Sequence, residues 1–247
     1  INYLCCRDLL LMQVFLLASL LCHIRMRRQG ETRGRWAVCL GLFALSVLAK
    51  KNALMLPAVI LLFESVLRGA SLNSRKPWLK TMPYALVGGA ILFYVIVVLG
   101  FSDLRNILAR PTPTEYSLGQ LQHHVFHYLR NFFWPFEMRM GAVDGVVNWQ
   151  RWIGGMCVLG SWVLAWRWWR SRPLPVFCLL SYQAMLILTS SVLPLHTQIV
   201  PYRVYPSSFF LYLGLAVLLG QQSRRGNLIL AAAALYFAVA SVSINPV

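Results

Sequence analysis

The feature that most constrains the fold is a series of apolar runs, closely spaced along most of the chain. A helix that crosses a bilayer needs about 20 apolar residues, and flanking aromatic and snorkelling basic residues can extend a shorter run. Eight runs can be drawn, at roughly 9–24, 36–49, 53–67, 83–101, 152–166, 174–193, 204–220 and 227–244. They predict an all-α fold, a polytopic transmembrane helix bundle of about eight spans that forms a single transmembrane domain over 1–247.

Composition supports a membrane protein. Hydrophobic residues make up 58% of the chain and charged residues 12%, whereas a soluble domain has about a quarter of its residues charged. The formal net charge is +16, but the basic residues are scattered between apolar runs, so no soluble basic domain remains to bind nucleic acid. Cysteines lie mostly inside apolar runs, where they act as small apolar side chains and predict no disulfide framework. Membrane lipids are therefore the expected partners.

The loops between the runs alternate in charge. Those at 25–35, 68–80, 167–172 and 224–225 hold 14 of the 23 basic residues, which places them on the cytoplasmic side. The opposite set then faces outward, and it contains Arg7-Asp8, Lys50-Lys51-Asn52, the long loop 102–151 and the segment 194–203. The charges that lie hard against apolar runs, outside the basic loops, thus fall on one face of the membrane.

The long outward loop, 102–151, contains a predicted amphipathic helix from Leu118 to Phe133. Its apolar residues recur at spacings of three and four, and its polar residues share the opposite face, so the helix is expected to lie in the membrane interface. The apolar positions are Leu118, Leu121, Val125, Leu129 and Phe132; the polar ones are His123, His127 and Arg130. The two histidines have the spacing of a metal-binding pair but no third ligand nearby, so solvated or interfacial histidines are expected and no metal site is predicted.

Cationic residues at the mouths of apolar helices are costly and mark ion, phosphate or substrate sites. Arginine binds phosphate bidentately and lysine acts as a point charge, so this set suits a phosphate or pyrophosphate. The candidate binding residues are Arg7, Lys50, Lys51, Arg130 and Arg203, with His196 as a further phosphate donor or a hydrated loop residue. Asp8 is a candidate for an acid/base role or is a local partner of Arg7.

The two short runs around Lys50-Lys51-Asn52 leave two structures open. Their junction either dips toward the membrane and lines a wet cavity, or forms a tight hairpin with snorkelling lysines. Pro57 lies early in the second run, where its missing N–H costs least.

Four stretches in series resemble a family. Asn2-Tyr3 to Met12, with Arg7-Asp8, is similar to the "V-N-Y-I-x-Q-R-S/D-x-L-L" motif of multi-spanning glycosyltransferases of the GT-C fold, the group that includes tetratricopeptide-linked membrane proteins and O-mannosyltransferases. Ala49 to Glu64 resembles their "S-K-E-x-A-x-x-L-P" stretch. Tyr128 to Pro135 resembles "Y-L-x-x-L-x-x-P", and Pro194 to Ser207 resembles "P-L … E-H-R-L-Y-L-P-S".

The resemblance implies a membrane glycosyltransferase. It would transfer a sugar from a polyprenyl-phosphate-linked donor to a protein or glycan acceptor on the outer, periplasmic face of a bacterial inner membrane. Arg7, Lys50, Arg203 and Tyr205 would line the lipid-phosphate-sugar site. A divalent metal would be compatible with such an enzyme, although no motif in the sequence supports one.

Departures from the family pattern keep alternatives open. Lys51 and Pro201 stand where the family has glutamates, and the stretch after Tyr205 is one residue shorter. The family's first outward loop, with its catalytic acids, would precede Ile1, so the chain is expected to be the later part of the membrane domain. The alternative is a non-catalytic GT-C-like subunit that packs against a larger membrane assembly. A transporter would predict inverted repeats, and we find no convincing internal symmetry.

The charge pattern makes a topology prediction. In a background without other cysteines, Gln29→Cys and Thr114→Cys should react with an impermeant thiol reagent from opposite sides of sealed vesicles, because the positive-inside rule puts 25–35 and 102–151 on different faces. Labelling of both positions from the same side would contradict the eight-span arrangement.

Overall fold

In the computed structural model, the described residues are 4–97, 119–133, 148–187 and 204–220. Within these ranges the regular structure is entirely helical and contains no strand, so the all-α prediction is confirmed. The chain divides into two compact units, one formed mainly by Ile1–Arg110 and the other mainly by Pro111–Val247.

The N-terminal unit begins with a helical hairpin. Helix α1 spans Leu4–Gln29 and helix α2 spans Arg33–Ala49, and these two helices form the most extensive helix pair of the unit. Gly30 adopts a left-handed conformation with φ of 96°, which ends α1 as glycine commonly does after a helix. Thr32 then caps α2, and its hydroxyl accepts a hydrogen bond from the Arg35 N–H. Both helices extend beyond the predicted apolar runs because their basic ends remain helical.

The Lys50 junction is a tight turn. Lys50 is extended, with φ −160° and ψ 136°, and it ends α2; a 3-10 turn over Lys51–Met55 and helix α3, Leu56–Leu62, follow directly. Pro57 occupies the first turn of α3, as predicted. A π-helical turn over Phe63–Leu67 completes the segment.

Helix α4 spans Arg75–Val97 and packs against α2 and α3. It begins eight residues before the predicted run, and it includes Pro83 in its interior. Of the two adjacent glycines Gly88 and Gly89, only the first lies against side chains of neighbouring helices. A Cβ at Gly88 would lie 3.1 Å from Leu54 and 3.3 Å from Phe43, whereas a Cβ at Gly89 would meet nothing within 4 Å. Gly88 alone therefore faces the packed side of α4.

Four helices of the C-terminal unit are described. Helix α5 covers 119–133, α6 spans Asn148–Trp168, α7 spans Pro173–Ile187 and α8 spans Tyr205–Gly220. Glycines provide the close approaches: a Cβ at Gly214 of α8 would lie 3.0 Å from Cys178 Cβ of α7. At Gly154 of α6, an added Cβ would overlap the backbone carbonyl of Leu121 in α5. The predicted run 227–244 and most of the loop 102–151 lie outside the described residues.

Helix α5 lies where the sequence predicts it, but its periodicity differs. From His124 to Leu129 the turns are π-helical, so side chains no longer repeat every 3.6 residues. Gln122 and His123 are almost completely buried, at 1% and 2% exposure, while Arg130 is exposed. The expectation that His123 is solvated or interfacial is therefore wrong, because part of the face that the 3.6-residue pattern assigned to water is buried.

Two helices of the described chain are long and apolar enough to cross a membrane. They cover Arg7–Gln29 in α1 and Arg75–Val97 in α4. Helices α7 and α8 are apolar but shorter, each with 15 residues in its apolar part. Length and hydropathy in the described residues thus identify two candidate spans.

The contact at Gly154 gives a packing prediction. Gly154→Ala should destabilise the C-terminal unit by about 1–3 kcal/mol, because the new methyl group meets backbone that cannot rotate away. Gly160→Ala is the matched control on the same helix, since a Cβ there meets nothing within 4 Å. The midpoint of thermal unfolding in detergent measures both, and equal midpoints for the two variants would contradict the close packing of α5 on α6.

Candidate functional site

Asp8 and Lys50 form an ion pair at one end of the N-terminal unit. Lys50 Nζ lies 2.5 Å from Asp8 Oδ2, and Asp8 Oδ1 accepts the Leu9 N–H at 2.9 Å. The side chains are 25% and 44% exposed, so the pair is reachable from solvent. The sequence left Arg7 as the alternative local partner of Asp8; the structure instead pairs Asp8 with a lysine 42 residues away.

The chain path explains why Lys50 reaches Asp8. α1 and α2 run antiparallel through the short turn at 30–32, which returns the end of α2 to the start of α1. The extended conformation of Lys50 interrupts the helix at that point, and its N–H still donates to the Ser46 carbonyl. Two of the stretches that carry the family resemblance, around Arg7-Asp8 and Lys50-Lys51, therefore meet at one place.

Other predicted site residues are distributed as follows. Arg7 is an exposed helical residue of α1, and Lys51 is exposed in the 3-10 turn next to Lys50. Arg130 is exposed in α5, which belongs to the C-terminal unit. Tyr205 begins α8, and its side chain lies outside the described part of the structure. His196 and Arg203 lie outside the described residues, so their predicted place in a shared site stays a prediction.

A second charged cluster, which the sequence reasoning missed, lies at the opposite end of the N-terminal unit. Its centre is the buried carboxylate of Glu64. We use the name Glu64 cluster for Glu64 together with His23, Arg27, Arg68 and Tyr84. Arg27 donates to both carboxylate oxygens, from Nε at 2.7 Å and from Nη2 at 3.1 Å. His23 Nε2 lies 3.2 Å from Oε1, and Arg68 Nε lies 3.5 Å from Oε2. His23 Nδ1 in turn lies 3.1 Å from the Tyr84 hydroxyl.

Glu31, in the turn between α1 and α2, adds an outer layer to this cluster. It accepts hydrogen bonds from Lys80 Nζ at 2.6 Å and Trp36 Nε1 at 3.4 Å, and it also pairs with Arg27. The hydrogen bond from Lys80 holds the pKa of Glu31 below its usual 4.5, partly offset by desolvation. A depressed carboxylate pKa stabilises the fold above pH 4.5, and that stabilisation is lost as the pH falls through the folded-state value.

The C-terminal unit contains a buried polar cluster on α5, α6 and α7. Gln122 Nε2 donates to Gln150 Oε1 at 2.6 Å, and the Tyr128 hydroxyl lies 3.4 Å from Gln120 Oε1. The rings of His124 and Tyr182 are 5.5 Å apart, and desolvation lowers the pKa of His124 to about 4, which keeps it neutral at pH 7. Among the described residues no group of three or more His, Cys, Asp or Glu side chains is placed to hold a metal ion.

The two ends of the N-terminal unit differ in what they can do chemically. The Glu64 cluster is enclosed: each carboxylate oxygen has at least two partners, and Glu64 is 2% exposed. A buried charge of this kind holds its helices together, because the cost of removing it from water is offset only while its partners stay in place. The Asp8–Lys50 pair is more exposed, so an incoming anion can reach the ammonium group.

Removal of the central charge tests the enclosed cluster. Glu64→Gln should destabilise the protein by about 2–4 kcal/mol, because it leaves Arg68 and buried His23 without their anionic partner. Glu31→Gln is the matched control, and it should cost less than about 1 kcal/mol because Glu31 is more exposed. Thermal unfolding in detergent at pH 7 compares them; a larger effect at Glu31 would show that the cluster contributes little.

Comparisons with known proteins give no assignment. No protein-family model, curated protein or solved structure matches the chain. The resemblance to GT-C glycosyltransferases therefore rests on the four motifs alone.

Proposed function

We propose that the protein is an integral membrane protein, with α1 and α4 among its spans. Along α1, the distance from Asp8 to Arg27 is about 28 Å at 1.5 Å per residue, close to the roughly 30 Å of a bilayer core. The Asp8–Lys50 pair and the Glu64 cluster thus lie one bilayer thickness apart. Charged groups at both ends with an apolar middle are the arrangement that a bilayer requires.

The surface between these two ends supports membrane insertion. Leu10, Val14 and Leu21 of α1 are 56–63% exposed, and Leu86 and Phe93 of α4 are 61% and 66% exposed. Soluble proteins rarely expose a large contiguous apolar area to water, because its hydration is unfavourable. Lipid tails provide the apolar contact for these side chains. The remaining predicted runs would complete the bundle of about eight spans.

The arginine-rich end of the unit would face the cytoplasm. Arg27 and Arg68 of the Glu64 cluster belong to the loops whose basic residues predict that side, together with Lys80. The Asp8–Lys50 pair would then lie at the outer face, which in a bacterial inner membrane is the periplasmic face. By the same charge pattern, the loop 102–151 with its helix α5 would lie on the outer side.

The function that the geometry supports best is glycosyl transfer from a polyprenyl-phosphate-linked sugar at this outer end, to a protein or glycan acceptor. The observation that carries the proposal is the meeting of Asp8 and Lys50, from two separate motifs of the resemblance, at a solvent-accessible point on one face. Lys50 would contribute a positive charge to the lipid phosphate, and Asp8 would keep the lysine extended toward it. The other binding residues that the sequence predicts for such an enzyme are Arg7, Lys51, Arg130, His196, Arg203 and Tyr205.

Charge neutralisation would then be the main catalytic contribution of this site. When the glycosidic bond to the donor breaks, negative charge develops on the departing phosphate, and preorganised cations stabilise it. An arginine adds two parallel hydrogen bonds, which is the role proposed for Arg203. The polyprenyl tail would lie against the exposed apolar faces of the helices.

A non-catalytic GT-C-like subunit is the second candidate. The observation that favours it is the salt bridge between Asp8 and Lys50, which gives the acid at this end of the described unit a structural role. Such a subunit would retain the anion site and pack against a larger membrane assembly. Turnover of the donor, not its binding, separates the two candidates.

Binding of a polyprenyl phosphate to the purified protein tests the site. Arg203→Lys should weaken binding about tenfold, because charge is kept but one charge-assisted hydrogen bond is lost. Arg203→Ala and Lys50→Gln should each weaken it at least as much. Arg167→Gln, a basic residue of the predicted cytoplasmic set, is the control and should bind like the wild type.

Two results would decide against the proposal. Equal affinity of the wild type, Lys50→Gln and both Arg203 variants would leave these residues as interfacial anchors. Tight binding without any consumption of a polyprenyl-phosphate-linked sugar, in membranes that contain the acceptors of the source cell, would favour the non-catalytic subunit.

A further inference from the structure

A groove of about 220 Å³ lies between the end of α1 and the start of α2, beside the Glu64 cluster. Its lining combines two arginines with apolar and small side chains: Cys22, Arg25, Met26, Gln29, Gly34, Arg35 and Val38. Drug-sized ligands occupy pockets of about 300 Å³ or more, so this groove suits a headgroup and the first part of a chain rather than a whole large ligand.

The two arginines differ in how they are held. Arg35 Nη1 donates to the carbonyls of Gln29 at 2.9 Å and Gly30 at 2.7 Å, which fixes its guanidinium at the rim. Arg25 is exposed and forms no hydrogen bond or ion pair within the described residues. The acid of the same turn, Glu31, is engaged by Arg27 and Lys80 and does not line the groove. The groove therefore carries a net positive charge.

One wall of the groove continues as an apolar surface. Val38 is 53% exposed, and Leu45, seven residues further along α2, is 47% exposed. Residues seven apart lie on the same face of a helix, so this strip runs from the arginines toward the middle of the apolar surface. A cationic rim that continues into an exposed apolar strip matches the two parts of a phospholipid.

We propose that this groove binds one anionic phospholipid of the cytoplasmic leaflet, with its phosphate between Arg25 and Arg35 and an acyl chain along Val38 and Leu45. The inference rests on the proposed membrane insertion and orientation, but not on glycosyl transfer. Basic pockets between helices on the cytoplasmic side are suited to anionic headgroups, since charge attraction and apolar contact act together.

The test measures binding of dioctanoyl phosphatidylglycerol and dioctanoyl phosphatidylcholine to the detergent-solubilised full chain by native mass spectrometry. Arg25→Gln and Arg35→Gln should each weaken phosphatidylglycerol binding about fivefold, the effect expected of one basic residue near an anionic headgroup. Arg28→Gln and Arg33→Gln are matched controls: both arginines are exposed in the same segment, but neither lines the groove. They should leave the affinity unchanged.

A blocking variant separates the groove from general surface charge. Gly34 lines the groove, and a Cβ there meets nothing within 4 Å, so Gly34→Leu should fill the groove without strain and reduce binding with both arginines present. Gly89→Leu, equally open on α4 and outside the groove, is its control. This pair also keeps the test valid if Arg35→Gln loosens the turn that Arg35 holds.

Each outcome is decisive. Equal losses for Arg25→Gln and Arg28→Gln, an unaffected Gly34→Leu variant, or equal binding of both lipids would overturn the proposed site. The groove variants should still bind polyprenyl phosphate like the wild type, so a failure here is distinguishable from a failure of the outer site. Failure of the wild-type protein to insert into bilayers would instead remove the membrane orientation on which the inference rests.

Discussion

A carboxylate enclosed between helices must keep its charge compensated, and in the N-terminal unit this requirement falls on Glu64. Burial of an ion from water costs several kcal/mol, and removal of one partner exposes that cost. Glu64 meets it with His23 and Arg27 from α1 and Arg68 from its own segment, while Tyr84 of α4 extends the network through His23. The relative positions of α1, α3 and α4 at this end are therefore coupled to one side chain.

At the opposite end of the unit, the Asp8–Lys50 ion pair contributes less to stability. The partners Asp8 and Lys50 are partly exposed, and pairs of that kind contribute at most about 1 kcal/mol. Since the Glu64 cluster and the close contact at Gly88 already fix the helices, the Asp8–Lys50 end does not have to hold the fold together. A lysine that stabilises little can move toward a ligand at little cost, which a binding site requires.

The sequence predicted the helices more accurately than the contacts between them. Apolar runs located α1, α2, α6 and α8, and the charge pattern put Asp8 and Lys50 on the same face, where the structure pairs them. The Glu64 cluster was missed, although a signal existed: Ser19, His23 and Arg27 recur every four residues in α1. A polar stripe at helical spacing inside an apolar run predicts a buried polar face. The partner, Glu64, is 41 residues from His23, and only the packing of the helices brings them together.

The error in α5 has a different cause. The amphipathic pattern assumed 3.6 residues per turn, but π-helical turns from His124 onward rotate every later side chain, and tertiary packing buries His123. No residue type in Gln120–Phe133 marks that change of pitch, because a π-helical turn is stabilised by the surrounding packing rather than by local propensity. The predicted helices were also too short at their basic ends. Arginines such as Arg25 and Arg28 remain helical while their charges reach solvent.

The pairing of Asp8 with Lys50 gives Asp8 a role that the sequence did not suggest. Asp8 uses one oxygen for Leu9 N–H and the other for Lys50 Nζ. In this arrangement its carboxylate orients the lysine. If a lipid phosphate bound Lys50, the two anions would compete for one ammonium group, so the favourable site would be one in which further cations share the phosphate. That requirement is the physical reason to expect Arg7 or Lys51, in the same unit, to share the phosphate with Lys50. Asp8 could take part in proton transfer as well only if the reacting group shared an oxygen with Leu9 N–H or Lys50 Nζ, since each carboxylate oxygen has a second lone pair.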